Sequence, residues 1–255
     1  MGDTQSIIHN LSFRLWFSKV FFTIILGVLQ MTVDLLSKNE NISMSDISLY
    51  DYMQFFENVL CTKKFIYELE DGRKIALKFE KNNFMHLIGA QHILGKRYKA
   101  SKFSENVGLR RMTFEHLERR NNIVFNDLTD RFLHFSNIYY ILRNAQLISF
   151  DKDVYEDTIN NETEMDYKYL LFEDIGNKKV HIGIDTYNRG RHYYGKSVLV
   201  NTINNPKLTK NQEQLYIKNI VIIDLIKKVE IYNKQKEIQQ EVATDGLIIN
   251  VNSFK

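Results

Sequence analysis

Two short segments in the first third of the chain alternate strictly between apolar and polar positions. In residues 65–69 (FIYEL) and 74–79 (KIALKF) every odd-numbered residue is apolar. A period of two is the pattern of a β-strand with one buried face. Asp71-Gly72 lies between the segments and is typical of a tight hairpin turn. The pattern therefore predicts an antiparallel β-hairpin with one apolar face.

Helical patterns flank this hairpin on both sides. Ser45 or Asp46 is the predicted N-cap of a helix that precedes the hairpin. After the hairpin, Asn82 or Asn83 can cap a second helix, because a short polar side chain accepts hydrogen bonds from the free amides of a first turn. Gly95 is the predicted C-terminal stop of that helix.

The rest of the chain divides into helical and strand-like segments. Residues 102–122 and 124–145 carry apolar residues at helical spacing. Alternation returns in residues 167–200, which predicts a meander of three strands. Residues 212–233 fit either a helix or a strand. Their apolar spacing suits a helix, whereas the β-branched run 220–223 suits a strand.

This order predicts an α+β fold built from N-terminal helices, a β-hairpin, a helical insertion and an antiparallel strand meander. We expect an apolar helical extension over residues 1–45, one α+β domain over 46–235 and a C-terminal tail over 236–255. Within the domain, residues 96–145 form the basic helical insertion, and residues 151–166 form an acidic exposed loop.

The segment 15–36 (LWFSKVFFTIILGVLQMTVDLL) is the most apolar part of the chain. Its uncharged run between Lys19 and Asp34 is shorter than the roughly 18–20 residues that span a bilayer. A small-x-small cleavage motif, as expected of a signal peptide, is missing from Leu26–Gln30. A buried helix, a helix on the membrane surface and a cleaved signal all remain open.

Charge is unevenly distributed although the whole chain carries only +3. Residues 92–122 hold eight basic and three acidic residues, a net charge of +5, whereas residues 151–166 have a net charge of −6. A concentrated basic stretch indicates a phosphate-rich partner, and a solvated helix face is the alternative interpretation. The basic residues expected to contact nucleic acid are Lys96, Arg97, Lys99, Arg110 and Arg111.

Several kinds of site are disfavoured by the sequence. Cys61 is the single cysteine, which excludes an internal disulfide and any zinc site with two thiolates, and favours a reducing compartment. His86 and His92 are six residues apart, so on one helix they would not lie on the same face. No phosphate-binding glycine loop of the usual spacing is present. We therefore predict neither a metal nor a cofactor.

Metal-free acid–base chemistry remains as a candidate. His86 lies in the first turn of its predicted helix, and a histidine gains or loses a proton near neutral pH. Residues 187–197 (YNRGRHYYGKS) gather tyrosines with arginines and a lysine. Cations can hold a phosphate, and tyrosines can stack on a base. The alternative is that His86 belongs to the core and that residues 187–197 form an exposed turn.

Residues 65–93 (FIYELEDGRKIALKFEKNNFMHLIGAQHI) resemble the phage-associated branch of the barnase–EndoU–colicin–RelE-like nuclease superfamily. Its members carry an apolar strand, a turn, a second strand that ends in Phe, and then an F-x-H-L-x-G motif. The matching residues here are Phe79, Phe84, His86, Leu87 and Gly89. A weaker match follows at 193–200 (YYGKSVLV), where Ser197 is the hydroxyl residue, so that the resemblance covers about residues 50–205.

The resemblance implies a small α+β ribonuclease fold with a four-stranded antiparallel sheet that cuts RNA without a metal. On the resemblance and the chemistry together, His86 is expected to act as general acid or base. The residues expected to hold the scissile phosphate are Arg189, Arg191 and Lys196. The residues expected to position the nucleotide are Tyr193, Tyr194 and Ser197. The long insertion between the two halves departs from the family pattern.

The resemblance also implies a biological setting. We expect a cytoplasmic toxin or abortive-infection protein of a bacterium or phage, with tRNA or mRNA as substrate and an antitoxin or immunity protein as partner. The alternative is a non-catalytic nucleic-acid-binding protein of a defence or mobile-element locus, held at the inner face of the membrane through residues 15–36. The two hypotheses differ in whether His86 and residues 187–197 converge on one cleft.

Overall fold

The computed structural model describes residues 47–187 and 192–239. Within these ranges, helices and strands are largely segregated along the chain, and the strands form one nine-stranded sheet, so the predicted α+β class is confirmed. The predicted extension over residues 1–45 lies outside the described residues, and of the predicted tail the structure describes only 236–239, which are helical. In the described part of the chain, no helix has the length and apolar character needed to span a membrane.

The first described helix, α1 (Leu49–Phe55), begins at Ser48. Ser48 Oγ accepts a hydrogen bond from the Asp51 amide, and the Asp51 carboxylate accepts one from the Ser48 amide. This reciprocal pair satisfies two amides that have no partner inside the helix. The cap is therefore Ser48, and the prediction of Ser45 or Asp46 was wrong. A π-helical turn (Phe56–Leu60) leads from α1 to the first strand.

The predicted hairpin is confirmed as β1 (Lys63–Leu69) and β2 (Lys74–Lys78). The strands are antiparallel, with Phe65 opposite Leu77. Gly72 turns between them at φ 88°, a left-handed conformation that favours glycine. The odd-numbered apolar side chains of both strands are buried, as the alternation predicts.

Seven further strands complete the sheet. They are β3 (Gln146–Ser149), β4 (Tyr169–Ile175), β5 (Lys178–Tyr187), β6 (His192–Thr202), β7 (Glu213–Leu215), β8 (Ile217–Asp224) and β9 (Val229–Asn233). Their order is β7-β3-β4-β5-β6-β2-β1-β8-β9. Among the described pairs all are antiparallel except β2 with β6. The expected four-stranded antiparallel sheet is therefore wrong in size and in pairing.

Strands β4, β5 and β6 form the predicted meander. The open question about residues 212–233 is decided in favour of strands, because β8 pairs along the whole of β1 and buries Ile220 and Ile222. Strands β1 and β8 are far apart in the sequence. The spacing of apolar residues within 212–233 therefore could not decide the matter.

Short helices fill the chain between β2 and β3. They are α2 (Phe84–Leu87), α3 (Ala90–Leu94), α4 (Ala100–Gly108), α5 (Phe114–Arg120), α6 (Asn122–Asp127), α7 (Thr129–His134) and α8 (Ile138–Asn144). The three longer predicted helices are broken. Gly89 (φ 81°) separates α2 from α3, and Arg110 (φ 55°) follows the end of α4. Asn121, with an extended backbone, ends α5 and caps α6.

The acidic stretch 151–166 was predicted to be an exposed loop, and half of it is a helix. α9 (Lys152–Ile159) begins at Asp151, whose carboxylate accepts hydrogen bonds from two amides of the first turn. Tyr155 anchors the helix, because its ring packs against Phe150 with centroids 5.7 Å apart. The loop prediction was wrong because it rested on the acidic composition and overlooked the Asp151 cap and the contact between Tyr155 and Phe150.

An aromatic core fixes α2 on the sheet. Phe84 of α2 stacks on Phe56, with centroids 5.5 Å apart, and contacts Phe135 edge-on at 5.6 Å. Phe56 also contacts Phe79, the last apolar residue of the hairpin pattern, at 5.9 Å. Buried aromatic pairs of this kind stabilise both by area and by ring geometry. The backbone of α2 is therefore held in a fixed place next to the end of β2.

Candidate active site

His86 is presented to solvent by the packing of its own helix. Phe84, Met85 and Leu87 of α2 are buried, whereas His86 is exposed. Immediately before α2, Asn83 Oδ1 accepts a hydrogen bond from the Glu80 amide at 2.7 Å. That contact ties the start of α2 to the chain that leaves β2. The position of His86 thus follows from three buried neighbours and one polar tether.

His86 opens into a cavity of about 470 Å³ between α2, α4 and the strands β5 and β6. The residues that line it are Asn82, Asn83, His86, Lys99, Ala100, Ser101, Tyr187, Tyr194 and Lys196. Four residues predicted for the site, His86, Lys99, Tyr194 and Lys196, therefore meet in one place although they come from distant parts of the sequence. His86 and the described part of the 187–197 segment do converge on a cleft.

An aromatic platform forms one wall of the cavity. The rings of Tyr187 and Tyr194 stack with centroids 3.9 Å apart. The Asn83 side-chain amide donates to the Tyr187 hydroxyl at 3.3 Å, and 39% of Tyr187 is exposed. Burial, followed by the charge of Asp185, raises the pKa of Tyr194 to about 12, so its hydroxyl stays protonated. The platform is thus uncharged and open to a planar ligand.

Lys196 lies at a β-bulge of β6. Gly183 pairs with Ser197 whereas Ile184 pairs with Gly195, so Lys196 is the extra residue. Its ammonium contacts the Asp185 carboxylate at 2.7 Å and donates to the Asp166 carbonyl at 2.6 Å. Bulges re-aim side chains next to functional sites. The predicted phosphate-binding lysine therefore reaches the cavity, but with a carboxylate already beside it.

The protonation of His86 is set by the cavity. Partial burial lowers the pKa of His86 below its ordinary value, and the positive charge of Lys196 lowers it further. The pKa of His92 is also lowered, mainly by burial and further by the positive charge of Arg131. A histidine with a lowered pKa is neutral at pH 7 and can accept a proton.

Two predicted residues of β6 are not in the cavity. Ser197 is 6% exposed, and its hydroxyl accepts a hydrogen bond from Arg131 at 3.1 Å. The ring of Tyr193 packs on Tyr169, with centroids 5.7 Å apart. Successive residues of a strand point to opposite faces, which explains why Tyr194 lines the cavity while Tyr193 does not.

The predicted basic contacts are mostly outside the cavity. Lys96, Arg97, Arg110 and Arg111 are exposed, and of the five basic residues only Lys99 lines the cavity. The Lys96 ammonium lies 3.7 Å from a carboxylate oxygen of Glu164, and the Arg110 guanidinium lies over a tyrosine ring. Arg189 and Arg191, predicted to hold the scissile phosphate, lie outside the described residues.

The predicted residue set lacked three groups that shape the cavity: Asn83, Tyr187 and Asp185. Asn83 had been recognised only as a helix cap, and Tyr187 only as a member of an aromatic cluster. Asp185 carried no sequence signal, because its contact with Lys196 depends on the register of β5 against the bulge in β6.

The thiol of Cys61 is not activated as a nucleophile. Burial raises its pKa to about 12, and the charge of Glu57 adds to the effect. Such a thiol is protonated at neutral pH and is a poor nucleophile.

Within residues 47–187 and 192–239, no group of three or more His, Cys, Asp or Glu side chains is arranged to hold a metal ion. The metal-free mechanism stays a prediction.

Comparison with known proteins identifies one family. The family model described as phage-Barnase-EndoU-ColicinE5/D-RelE like nuclease matches residues 48–243. The match includes the hairpin, α2 with His86, and all strands of the sheet, and it confirms the resemblance seen in the sequence. No curated protein and no solved structure matches the chain.

Proposed function

Because the chain belongs to the phage-Barnase-EndoU-ColicinE5/D-RelE like nuclease family, we propose that it is an endoribonuclease that works without a metal ion and uses His86 as its general base. One observation carries the proposal. His86, Lys196 and the Tyr187–Tyr194 stack line the same cavity. A titratable group, a cation and an aromatic platform are the parts that metal-free RNA cleavage needs.

The reaction follows from the neutral state of His86. Its free ring nitrogen takes the proton of a ribose 2′-hydroxyl, and the O2′ attacks the adjacent phosphorus. The bond from phosphorus to the 5′-oxygen breaks, which leaves a 2′,3′-cyclic phosphate, and the 5′-oxygen takes a proton from water. Negative charge grows on the phosphate oxygens in this step. The Lys196 ammonium lines the same cavity as His86 and supplies a positive charge for this step.

The substrate is held by stacking and by charge. A base stacks on the exposed ring of Tyr187, which Tyr194 supports from behind. Lys99 lies at the cavity, and the exposed side chains of Lys96, Arg97, Arg110 and Arg111 extend the positive surface along the insertion. Contacts of this kind follow the phosphate backbone and weaken as salt is added.

The proposed setting is that of a toxin or an abortive-infection effector with tRNA or mRNA as substrate and an antitoxin or immunity protein as partner. The phage-associated name of the family supports this proposal. Contact with a membrane through residues 15–36 belongs to the proposal only as a hypothesis, since that segment lies outside the described residues.

A non-catalytic nucleic-acid-binding protein is the second candidate. One observation favours it: the Asp185 carboxylate, 2.7 Å away, offsets the charge of Lys196. A site that has lost its free cation would still bind a base on Tyr187 but would stabilise the transition state weakly. Catalysis, rather than binding, separates the two candidates.

The test compares wild type, His86→Ala and His116→Ala, both by induced expression in bacteria and with purified protein and RNA in EDTA. His116 is an exposed histidine of α5 and serves as the control. We expect wild type and His116→Ala to halt growth and to cut RNA, and His86→Ala to lose about 10²–10⁴-fold in cleavage rate. If all three bind RNA but none cuts it, the binding protein is the right description. If all three cut it equally, His86 is not the base.

A further inference from the structure

Arg131, on α7, is a charged side chain that the proposed mechanism does not use. Its Nη1 donates to the Ser197 hydroxyl at 3.1 Å. Ser197 directly follows Lys196 in β6 and is itself buried. The resemblance pointed to Ser197 and not to Arg131, yet the two side chains are joined by this hydrogen bond.

Among the described residues, Arg131 has no counter-charge. No carboxylate pairs with it anywhere in residues 47–187 and 192–239. Burial lowers the pKa of its guanidinium, and the group that opposes this effect is the phenol of Tyr167. By contrast, Arg73 pairs with Asp71 at 2.7 Å, and Arg143 pairs with Glu237 at 3.5 Å. A partly buried cation without an anion carries a desolvation cost that an anionic ligand can offset.

The guanidinium lies at the junction between α2 and α3. A Cβ on Gly89 would come within 2.5 Å of Arg131 Nη1, so the guanidinium packs directly on the backbone that joins the helix of His86 to the helix of His92. The charge of Arg131 acts on His92, and His92 in turn is coupled to His86. Arg131 thus lies against the backbone between the two histidine helices but does not line the cavity of the proposed base.

The donors of Arg131 suit a phosphate. A guanidinium has five N–H groups in a planar fork that matches two oxygens of a phosphate. Within the described chain, Ser197 is the acceptor of one of them. We propose that Arg131 forms a second phosphate subsite, which holds an RNA backbone phosphate beside His92 and adjacent to the nucleotide in the cavity. The inference rests on the proposed function, because it takes RNA to be the ligand.

Two measurements on the full chain test the subsite. The first is the melting temperature in inorganic phosphate and in chloride at matched ionic strength. The second is the dissociation constant for a 2′-O-methyl RNA oligomer, which lacks the 2′-hydroxyl nucleophile. The variants are Arg131→Gln, Arg131→Lys and, as control, Arg143→Gln, whose arginine already has a carboxylate partner.

We expect phosphate to stabilise wild type and Arg143→Gln but not Arg131→Gln. The dissociation constant of Arg131→Gln should rise about tenfold to hundredfold, and that of Arg131→Lys should rise less, since lysine keeps the charge without the fork. In chloride, Arg131→Gln should melt no lower than wild type, because the change removes a partly buried charge that has no carboxylate partner among the described residues.

Equal stabilisation of Arg131→Gln and wild type by phosphate, with unchanged RNA affinity, would overturn the subsite. So would failure of both Arg131 variants to fold in chloride, because the arginine would then be structural. The outcome is separable from that of the proposed function. If wild type does not cut RNA, the ribonuclease proposal fails, while loss of the phosphate effect in Arg131→Gln still supports the subsite.

Discussion

The rings of Tyr187 and Tyr194 lie face to face, with centroids 3.9 Å apart and planes 14° from parallel. Tyr187 is opposite His192 in the sheet, and Tyr194 is opposite Asp185, so the two tyrosines are diagonal neighbours on adjacent strands. Diagonal pairs are within reach of aromatic side chains. The stack therefore depends on the pairing of β5 with β6 and presents the outer face of Tyr187 at the cavity.

Substitution of Tyr187 should weaken RNA binding. Loss of one stacked base costs about 1–3 kcal/mol, so Tyr187→Ala should raise the dissociation constant for RNA by about tenfold or more. Tyr187→Phe should bind nearly as wild type, because it keeps the ring and loses only the contact with Asn83. Fluorescence anisotropy with labelled RNA measures both. Tyr216→Ala, which removes a tyrosine that is 65% exposed, is the control, and an equal loss in that variant would argue against the stack.

Removal of the carboxylate next to Lys196 should strengthen RNA binding. Asp185→Asn leaves the ammonium without its partner at 2.7 Å, so the cavity becomes more positive. We expect affinity to rise roughly three- to tenfold and to depend more steeply on salt. Thermal stability should change little, since the pair is partly exposed. Titrations at several salt concentrations measure the effect.

Asp174→Asn is the matched control for that measurement, because it removes the carboxylate from a second lysine pair, Lys179–Asp174 at 2.6 Å, which does not line the cavity. Its RNA affinity should stay within twofold or so of wild type. An equal gain in both variants would show that total charge, rather than Lys196, controls binding.

The rate of RNA cleavage should rise with pH below neutrality. The pKa of His86 is lowered by burial and by Lys196, so its basic form predominates from a pH below the ordinary value of about 6.5 upward. Lys196→Gln removes the positive charge and leaves Asp185 unbalanced, so the rising limb of kcat/KM should move to higher pH. Lys99→Gln, the control, should weaken binding without moving the limb. A limb that stays in place in Lys196→Gln would exclude His86 as the titrating base.

Local patterns in the sequence predicted much of the framework. The hairpin could be predicted because alternation and Asp71-Gly72 are both local signals. The exposure of His86 follows from Phe84 and Leu87, which are buried within the same short helix. The meander of β4 to β6 was also predicted from alternation alone. Each of these features is set by residues within a few positions of one another.

Features that depend on distant pairing could not be predicted. The parallel contact of β2 with β6 joins residues more than a hundred positions apart. The bulge at Lys196 shifts the register by one residue, and a shift of one exchanges the faces of a strand. Ser197 was selected from the resemblance, but alternation along β6 places it on the face opposite Tyr194 and Lys196. Gly89 was visible in the sequence, but Gly95 was chosen as the end of the helix.

His181 should make the fold sensitive to acid. Burial lowers the pKa of His181 to about 4, and its Nε2 is buried without a hydrogen-bond partner among the described residues. Above about pH 6.5 the histidine is neutral in both states, so its ionisation contributes nothing to the free energy of unfolding. As the pH falls from 6.5 toward 4, His181 becomes protonated in the unfolded chain but stays neutral in the folded chain. The free energy of unfolding therefore falls by up to about 3 kcal/mol.

His181→Leu should remove that part of the pH dependence. Urea unfolding at pH 7 and at pH 4.5 measures the free energy of unfolding of each protein. We expect the loss on acidification to be smaller in His181→Leu by about 2–3 kcal/mol. Equal losses in the two proteins would mean that His181 is not a source of the acid sensitivity.

Gly89→Ala should destabilise the fold more than the same change at Gly72. Both glycines have φ above 80°, where an alanine costs about 1–2 kcal/mol. At Gly72 the new Cβ meets nothing within 4 Å, whereas at Gly89 it would come within 2.5 Å of Arg131 Nη1. Gly72→Ala thus measures the backbone cost alone, and displacement of the guanidinium should add about 1–3 kcal/mol at Gly89. Chemical denaturation of both variants measures the difference. Equal losses would show that Arg131 moves aside freely and that Gly89 does not fix its position.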